Sequence, residues 1–209
     1  MKKPDEELKA AYALETPEDN KRLYATWAES YETTFAEAMD YRLPERVADA
    51  AKAFAVRGPM LDIGAGTGLL GQALVERGLG PVDGTDISPE MLGEAGLKGC
   101  YRHLFAADIN EGLPIENRTY QAIISAGTFT TGHVGPDALD EVMRVTSPGG
   151  RLVLSINAEH WNAAGFSEKF EALSAQISSL EILTLPIYGA SASGDHAQDA
   201  AQVVLAIKA

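Results

Sequence analysis

The stretch Leu61-Asp62-Ile63-Gly64-Ala65-Gly66-Thr67-Gly68, continuing into Leu69-Leu70-Gly71-Gln72-Ala73-Leu74, constrains the fold of this chain more than any other. A short apolar run ends at an acid, small residues follow, and an apolar pattern with helical period then begins. That order predicts a strand, a tight turn and a helix. Glycines at alternate positions permit positive φ and leave no Cβ in the way of a ligand approaching the backbone. The N–H groups opening the next helix are expected to be free and to face whatever occupies the turn. The stretch reads as a nucleotide-type binding loop, whose nucleotide must be decided elsewhere.

The elements around it set the fold class. From Pro4 to about Val56 the pattern is helical. Thr16-Pro17-Glu18-Asp19 predicts an N-cap, a proline at the first helical position and acids in the first turn. Leu23, Trp27, Tyr31 and Phe35 form one apolar-aromatic stripe, and Leu43-Pro44-Glu45 restarts a helix that ends near Arg57-Gly58. Beyond Gly58, strands and helices alternate. Strands are expected at Met60–Ile63, Pro81–Asp86, Tyr101–Ala106, Tyr120–Ala126 and Arg151–Ile156, with helices at Leu69–Glu76, after Ser88-Pro89, at Pro136–Thr146 and at Trp161–Ala175. Leu180–Ile187 and Gln202–Ile207 follow with no helix between them, which predicts a closing antiparallel hairpin. The expected fold is α/β: a Rossmann-like, seven-stranded, mostly parallel sheet with helices on both faces. Residues 1–57 form a helical lid or cap and residues 58–209 the core.

Composition narrows the partners. With 17 basic and 30 acidic residues among 209, the formal charge is 17 − 30 = −13, which repels phosphate backbones and anionic lipid. Nucleic acid and membranes are therefore poor partners, and no apolar run reaches the length of a span. Met1-Lys2-Lys3 runs into Pro4-Asp5-Glu6-Glu7 without a signal-peptide pattern, and Cys100 is the one cysteine, which fits a reducing cytoplasm. Four histidines and one cysteine show no ligand spacing, so no metal is expected. Either a monomer or a homodimer is compatible with the sequence.

Gly66-Thr67-Gly68-Leu69-Leu70-Gly71 matches the dinucleotide pattern G-x-G-x-x-G literally, but the glycines start at Gly64, two residues earlier. No tyrosine has a lysine four residues on, and a hairpin stands where a dinucleotide requires a second mononucleotide-binding half. In the frame that starts at Leu61, the loop resembles motif I of class I S-adenosylmethionine-dependent methyltransferases. Later stations of that family follow in order: Gly84-Thr85-Asp86-Ile87-Ser88-Pro89-Glu90-Met91-Leu92, then Ala106-Ala107-Asp108-Ile109, then Val142-Met143-Arg144-Val145 with Pro148-Gly149-Gly150-Arg151-Leu152. Tyr24-Ala25-Thr26-Trp27-Ala28-Glu29-Ser30-Tyr31-Glu32 resembles the family's aromatic lid helix, with Glu32 in place of the usual aspartate. Tyr41-Arg42-Leu43-Pro44-Glu45-Arg46-Val47 and Gly132-His133-Val134 are similar to the Williams–Beuren-region methyltransferase-like subgroup.

The resemblance implies S-adenosylmethionine as cofactor and S-adenosylhomocysteine as product. Gly64, Ala65 and Gly66 would let the backbone approach the ligand, while Asp62 either holds the turn or reaches the α-amino group. Asp86, at the carboxyl end of the second strand, would accept both ribose hydroxyls, with Asp83 as a weaker competitor. Ile87 and Met91 would pack on the adenine, Asp108 would accept its amino group beside the Ile109 N–H, and Ala107 would permit close approach. Ser125 and Ala126 would floor the site near the sulfonium. Tyr24 and Tyr31 would cover the cofactor, while Trp27 belongs partly to the core.

No Asn/Asp-Pro-Pro-aromatic motif follows the fourth strand, which argues against nucleobase amines as acceptors. The expected reaction is in-line methyl transfer to a small-molecule acceptor, less so to a protein. His133 is the candidate base, and Thr128, His133 and Trp161 are candidates for the acceptor wall. The competing readings are a non-catalytic S-adenosyl-ligand-binding protein and, further off, an NAD(P)-dependent oxidoreductase.

Overall fold

The computed structural model describes residues 17–28 and 30–209. The Thr16 cap, the helical reading upstream of it and Glu29 lie outside these residues. Seven strands form one sheet: β1 (Met60–Ile63), β2 (Val82–Asp86), β3 (Leu104–Ala106), β4 (Tyr120–Phe129), β5 (Thr146–Asn157), β6 (Ile177–Pro186) and β7 (Ala200–Lys208). Their order is β3-β2-β1-β4-β5-β7-β6. β1 through β5 pair in parallel, and β7 runs antiparallel to both β5 and β6. The Rossmann-like sheet and its closing hairpin are those expected from the alternating pattern.

Successive strand residues supply opposite cores, as the two-residue period requires. Met60, Ala122, Ile124, Val153 and Val203 face one apolar cluster, while Leu61, Ile123, Leu152, Leu154 and Val204 face the other. Helices α2 (Leu43–Ala53) and α3 (Leu69–Glu76) cover the first face. Val47, Ala48 and Ala51 of α2 are wholly buried, so this helix packs as core although it falls within residues 1–57. The second face is covered by α5 (Ala138–Val145) and by α7 (Phe166–Ala172). α4 (Pro89–Leu97) starts as expected, with the Ser88 hydroxyl accepting the Met91 N–H.

Several elements depart from the sequence expectation: β3 starts at Leu104 rather than Tyr101, and β5 at Thr146 rather than Arg151, so that Pro148-Gly149-Gly150 falls within the strand. The single helix expected over Trp161–Ala175 is α6 (Ala158–Ala164), α7 and a 3₁₀ turn, because Gly165 takes φ +83° between the two helices. The aromatic stripe is not one continuous α-helix. The first helix, α1 (Pro17–Trp27), stops at Trp27, and Tyr31–Ala36 forms a π-helical turn closed by the Glu37 N–H on the Glu32 carbonyl. The Ser30 carbonyl there accepts the Thr34 N–H together with the Thr33 and Thr34 hydroxyls. β4 runs three residues past Ala126, with a register shift between Ser125 and Phe129. That bulge puts Gly127 at φ +85°, its N–H donating to the Ser155 hydroxyl.

Asp83 is not a second candidate for a ribose. It sits near the start of β2, buried, and accepts a two-pronged contact from Arg102 at 2.9 and 2.7 Å together with the Tyr120 hydroxyl at 2.9 Å. Burial pushes its carboxyl up, but Arg102, Tyr120 and His103 outweigh that and hold it below the usual range. Replacing Asp83 with alanine strands the Tyr120 hydroxyl and the guanidinium. The expected loss is about 2–3 kcal/mol of folding stability, read as a lower urea midpoint with an unchanged slope.

Candidate active site

The glycine turn is tied to β2 rather than left open. Gly64 and Ala65 both donate their N–H groups to the Thr85 carbonyl, at 2.8 and 2.9 Å, and Gly66 donates to Asp86 Oδ2 at 2.8 Å. Gly68 donates to the Ala65 carbonyl, and Gly71, in the first turn of α3, donates to the Tyr101 hydroxyl. The free N–H cradle expected from the sequence is therefore not present at these positions. The two glycines also differ in what they do. A Cβ at Gly64 would collide with the Thr128 side chain, whereas one at Gly66 would meet nothing. Gly64 makes room for the protein's own wall, and Gly66 leaves open space beside Asp86.

Above the turn lies a cleft of about 1020 Å³, including its open mouth. This is at the upper end of the roughly 300–1,000 Å³ typical of small-molecule sites. It lies at the carboxyl ends of β1, β2 and β4, where open α/β sheets bind ligands. Most of the residues singled out from the sequence come together there: Gly64, Ala65 and Gly66 from the turn, Asp86, Ile87 and Met91 around the start of α4, Ala107, Asp108 and Ile109 after β3, and Ala126 and Thr128 from β4. Tyr24, Tyr31 and His133 close the opposite side.

Three predicted residues do not line the cleft. Asp62 is fully buried on the α3 face of β1, where Oδ2 accepts the Tyr101 hydroxyl at 2.7 Å and Oδ1 has no hydrogen-bond partner. This is the turn-holding alternative for Asp62. Ser125 is buried beneath the floor, its hydroxyl donating to the Ile63 carbonyl at 2.7 Å, and so staples β4 to β1. Trp161 stacks on Phe166 and Phe170 at 5.9 and 5.7 Å, on the outer flank of the sheet. Its neighbour His160 donates from Nε2 to the Val134 carbonyl and so steadies the loop that carries His133.

Asp86 accepts N–H bonds from Gly66 and Ser88, at 2.8 and 2.9 Å, which leaves part of the capacity of a carboxylate with about four lone-pair sites. Burial pushes its carboxyl above the usual range despite these bonds. A cation or a pair of hydroxyls beside it would be welcome. Asp108 caps its own turn, Oδ1 accepting the Asn110 N–H at 2.8 Å. Both Thr67 and Thr85 are buried under the cleft, each with a hydroxyl that has no hydrogen-bond partner.

Tyr24 and His133 meet across the mouth. His133 Nδ1 lies 3.1 Å from the Thr131 carbonyl, which only accepts, so Nδ1 carries the proton. Nε2 is then the bare nitrogen, and it accepts the Tyr24 hydroxyl at 3.2 Å. Burial lowers the His133 pKa, partly offset by the Thr131 carbonyl, so the ring is neutral near pH 7. The lid is held from below as well: Met91 packs under Trp27 and Ala28, and Lys98 at the end of α4 pairs with Glu32 at 2.8 Å.

A second hollow, about 600 Å³ with its opening, adjoins the first and shares Tyr24, Tyr31, Tyr41, Gly127 and His133 with it. Its roof was not singled out as functional from the sequence. Tyr41 and Tyr188 form an isolated antiparallel bridge, Arg42 donates its N–H to the Ile187 carbonyl at 3.0 Å, and Gly189 donates to the Asp40 carbonyl at 2.7 Å. The Asp40 carboxylate accepts the Ser191 hydroxyl and N–H, which with Arg42 hold its pKa down at about 2. Only tertiary pairing brings residues 147 positions apart together, so no local pattern announces this roof.

Residues 60–150 match the model of a methyltransferase domain. Human methyltransferase-like protein 27 is 31% identical over 180 residues, an alignment covering 83% of this chain and 71% of that protein. The chain belongs to the class I S-adenosylmethionine-dependent methyltransferases. A TehB-like S-adenosylmethionine-dependent methyltransferase from Corynebacterium glutamicum shares the fold at a TM-score of 0.61 and 22% identity, over 88% of this chain and 98% of that one. A DhpI–S-adenosylhomocysteine complex superposes at 0.61 with 19% identity, over 88% and 93% of the two chains. The dinucleotide reading falls with this membership. No helix among the described residues of this methyltransferase is long and apolar enough to cross a membrane.

Asp62 offers a direct check on its role. Its folded pKa is raised to about 7, chiefly by burial, whereas an unfolded aspartate releases its proton near 3.9. Between those values the folded chain binds the extra proton, so stability falls as pH rises and the contribution is lost through pH 7. Asp62→Asn is expected to flatten that slope in urea titrations at stepped pH. It should leave S-adenosylhomocysteine affinity unchanged, as befits a residue outside the cleft.

Proposed function

We propose that this methyltransferase holds S-adenosylmethionine in the larger cleft and transfers its methyl group to a small molecule in the adjoining hollow, with His133 taking the acceptor's proton. The observation that carries the reading is the shared wall. Tyr24, Tyr31, Tyr41, Gly127 and His133 face both spaces, so a donor in one and an acceptor in the other would meet at that wall. When bound, the cofactor supplies a methyl group already activated on a sulfonium, and alignment with exclusion of water is most of what remains to be provided.

The chain's residues fit that cofactor. A turn whose Gly64, Ala65, Gly66 and Gly68 N–H groups are satisfied internally suits a ligand whose charged arm is zwitterionic rather than polyanionic. Asp86 is placed for the ribose diol, with the open space at Gly66 beside it. Asp108 and Ile109 stand where an adenine edge would reach them, and Met91 and Ile87 supply apolar surface. Tyr24 and Tyr31 cover the cleft, and burial raises both phenol pKa values, so they remain protonated donors at neutral pH.

His133 meets the requirements for a base in tautomer, charge and place. Its proton sits on Nδ1, Nε2 faces the shared wall, and a lowered pKa keeps it receptive near pH 7. The size of the hollow, about 600 Å³ with its opening, suits a small molecule.

Asp86→Ala is expected to weaken S-adenosylhomocysteine binding about 100-fold in titration calorimetry, the loss of two charge-assisted bonds. His133→Gln is expected to lower turnover about 100-fold while leaving that binding intact. A base works only when neutral, so wild-type turnover should fall as pH drops below the 6.5 of a free imidazole, and the variant should lose that limb. An acid limb that survives in the variant assigns the proton acceptor to another group.

A further inference from the structure

Among the described residues lining the second hollow there is no aspartate, glutamate, lysine or arginine. Its surface is aromatic and aliphatic, with neutral hydroxyl, amide and imidazole groups between. An isolated carboxylate, phosphate or ammonium enclosed there would lose its hydration without gaining an ionic partner. The walls also have a shape. Tyr31 and Phe35 lie 5.2 Å apart by ring centroids, Phe35 and Tyr41 5.9 Å, and Tyr41 and Tyr188 6.0 Å, forming a continuous run of ring surface. Such a run favours a flat ligand that stacks or meets rings edge-on.

Two further observations fix where a polar group on that ligand would go. The β4 bulge brings Gly127 beneath the Tyr41 hydroxyl, so closely that a Cβ there would lie 2.6 Å from the oxygen. The absent Cβ leaves room for the Tyr41 hydroxyl, which stands at the wall the two spaces share. At its edge His133 offers a bare Nε2, engaged by a hydroxyl from Tyr24 that an acceptor hydroxyl would replace in kind. A neutral nitrogen in this setting accepts one hydrogen bond, which a hydroxyl donates and an ionised carboxylate cannot.

We propose that the second hollow selects an uncharged planar ring bearing a hydroxyl, of the phenol or enol class, and that the hydroxyl oxygen is the atom methylated. This rests on the placement of donor and acceptor given above. In the transfer the acceptor oxygen bonds to the methyl carbon as the carbon–sulfur bond breaks with its electron pair going to sulfur. The hydroxyl proton leaves to His133 Nε2 and from there to solvent.

Three probes with one ring system separate the possibilities: 2-naphthol, 2-naphthoate and 2-naphthylmethylamine, each titrated calorimetrically at pH 7.5 into protein saturated with S-adenosylhomocysteine. The naphthol is expected to bind at least tenfold more tightly than either ion. Ala201→Phe, which fills the hollow from β7, should abolish naphthol binding, while retained S-adenosylhomocysteine binding by the same variant reports a folded cleft. Equal or tighter binding of the amine or the carboxylate overturns the proposal, as does failure of all three to bind or naphthol binding that survives Ala201→Phe. Selective naphthol binding without formation of its methyl ether upholds the selectivity of the hollow but overturns oxygen methylation and the role of His133. Failure of S-adenosylhomocysteine itself to bind the wild-type protein strikes instead at the placement of the cofactor.

Discussion

Two N–H groups from consecutive residues, Gly64 and Ala65, end on one carbonyl, that of Thr85, and the next N–H along the turn ends on the carboxylate of Asp86. These bonds pin the end of β1 to the end of β2, and with them the floor of the cleft. They fix where Asp86 points, since its other oxygen is held by the Ser88 N–H at the start of α4. They also determine the chemistry of the turn. A loop with unsatisfied N–H groups is an anion site by default. Here those groups are satisfied and a carboxylate stands among them, so the field near the turn favours hydroxyls and cations. One set of hydrogen bonds thus links strand register to ligand class.

Much of this was legible in the sequence because the signals were local. β1 and α3 were expected at Met60–Ile63 and Leu69–Glu76 and lie there, since an apolar run, glycines of positive φ and a helical repeat all occur within seventeen residues. Ser88-Pro89 announced α4 by the same kind of short-range chemistry. The misread elements share a cause as well. Gly165 breaks the helix expected over Trp161–Ala175, and although a glycine there is a visible signal, the apolar repeat on both sides of it outweighed it. The lid stripe kept its spacing but not its geometry. Its second half is a π-helical turn, yet Trp27, Tyr31 and Phe35 still meet at 5.2 to 5.9 Å.

Candidate site residues sort by the same rule. Asp86, the last residue of β2, and Asp108, just past the end of β3, reached the cleft. Asp62 and Ser125 belong to strand interiors, where the two-residue period sends a side chain to a face of the sheet rather than off its end. Trp161 was placed by its nearness in sequence to β5, but α6 carries it down the flank onto Phe166 and Phe170. Tyr41 and Tyr188 could not be paired from sequence because the contact between them is purely tertiary. It is made by two short segments, one ahead of α2 and one after β6, stitched by backbone bonds and by Asp40.

That stitching gives the lid a physical basis. Residues 31–41 are anchored at one end by Glu32 on Lys98 and at the other by the pairing of Tyr41 with Tyr188, and between these points they present tyrosines to both spaces. A tyrosine presents an apolar body with a polar tip, so the same side chains can exclude water from a sulfonium and offer hydroxyls to a neighbour. Tyr24 reaches furthest, since its hydroxyl rests on the bare nitrogen of His133. In this arrangement the lid itself occupies the position at His133 that an acceptor hydroxyl would take. Under the proposed placement, an acceptor hydroxyl at His133 takes the position of the Tyr24 hydroxyl, so binding there means exchanging one hydroxyl for another.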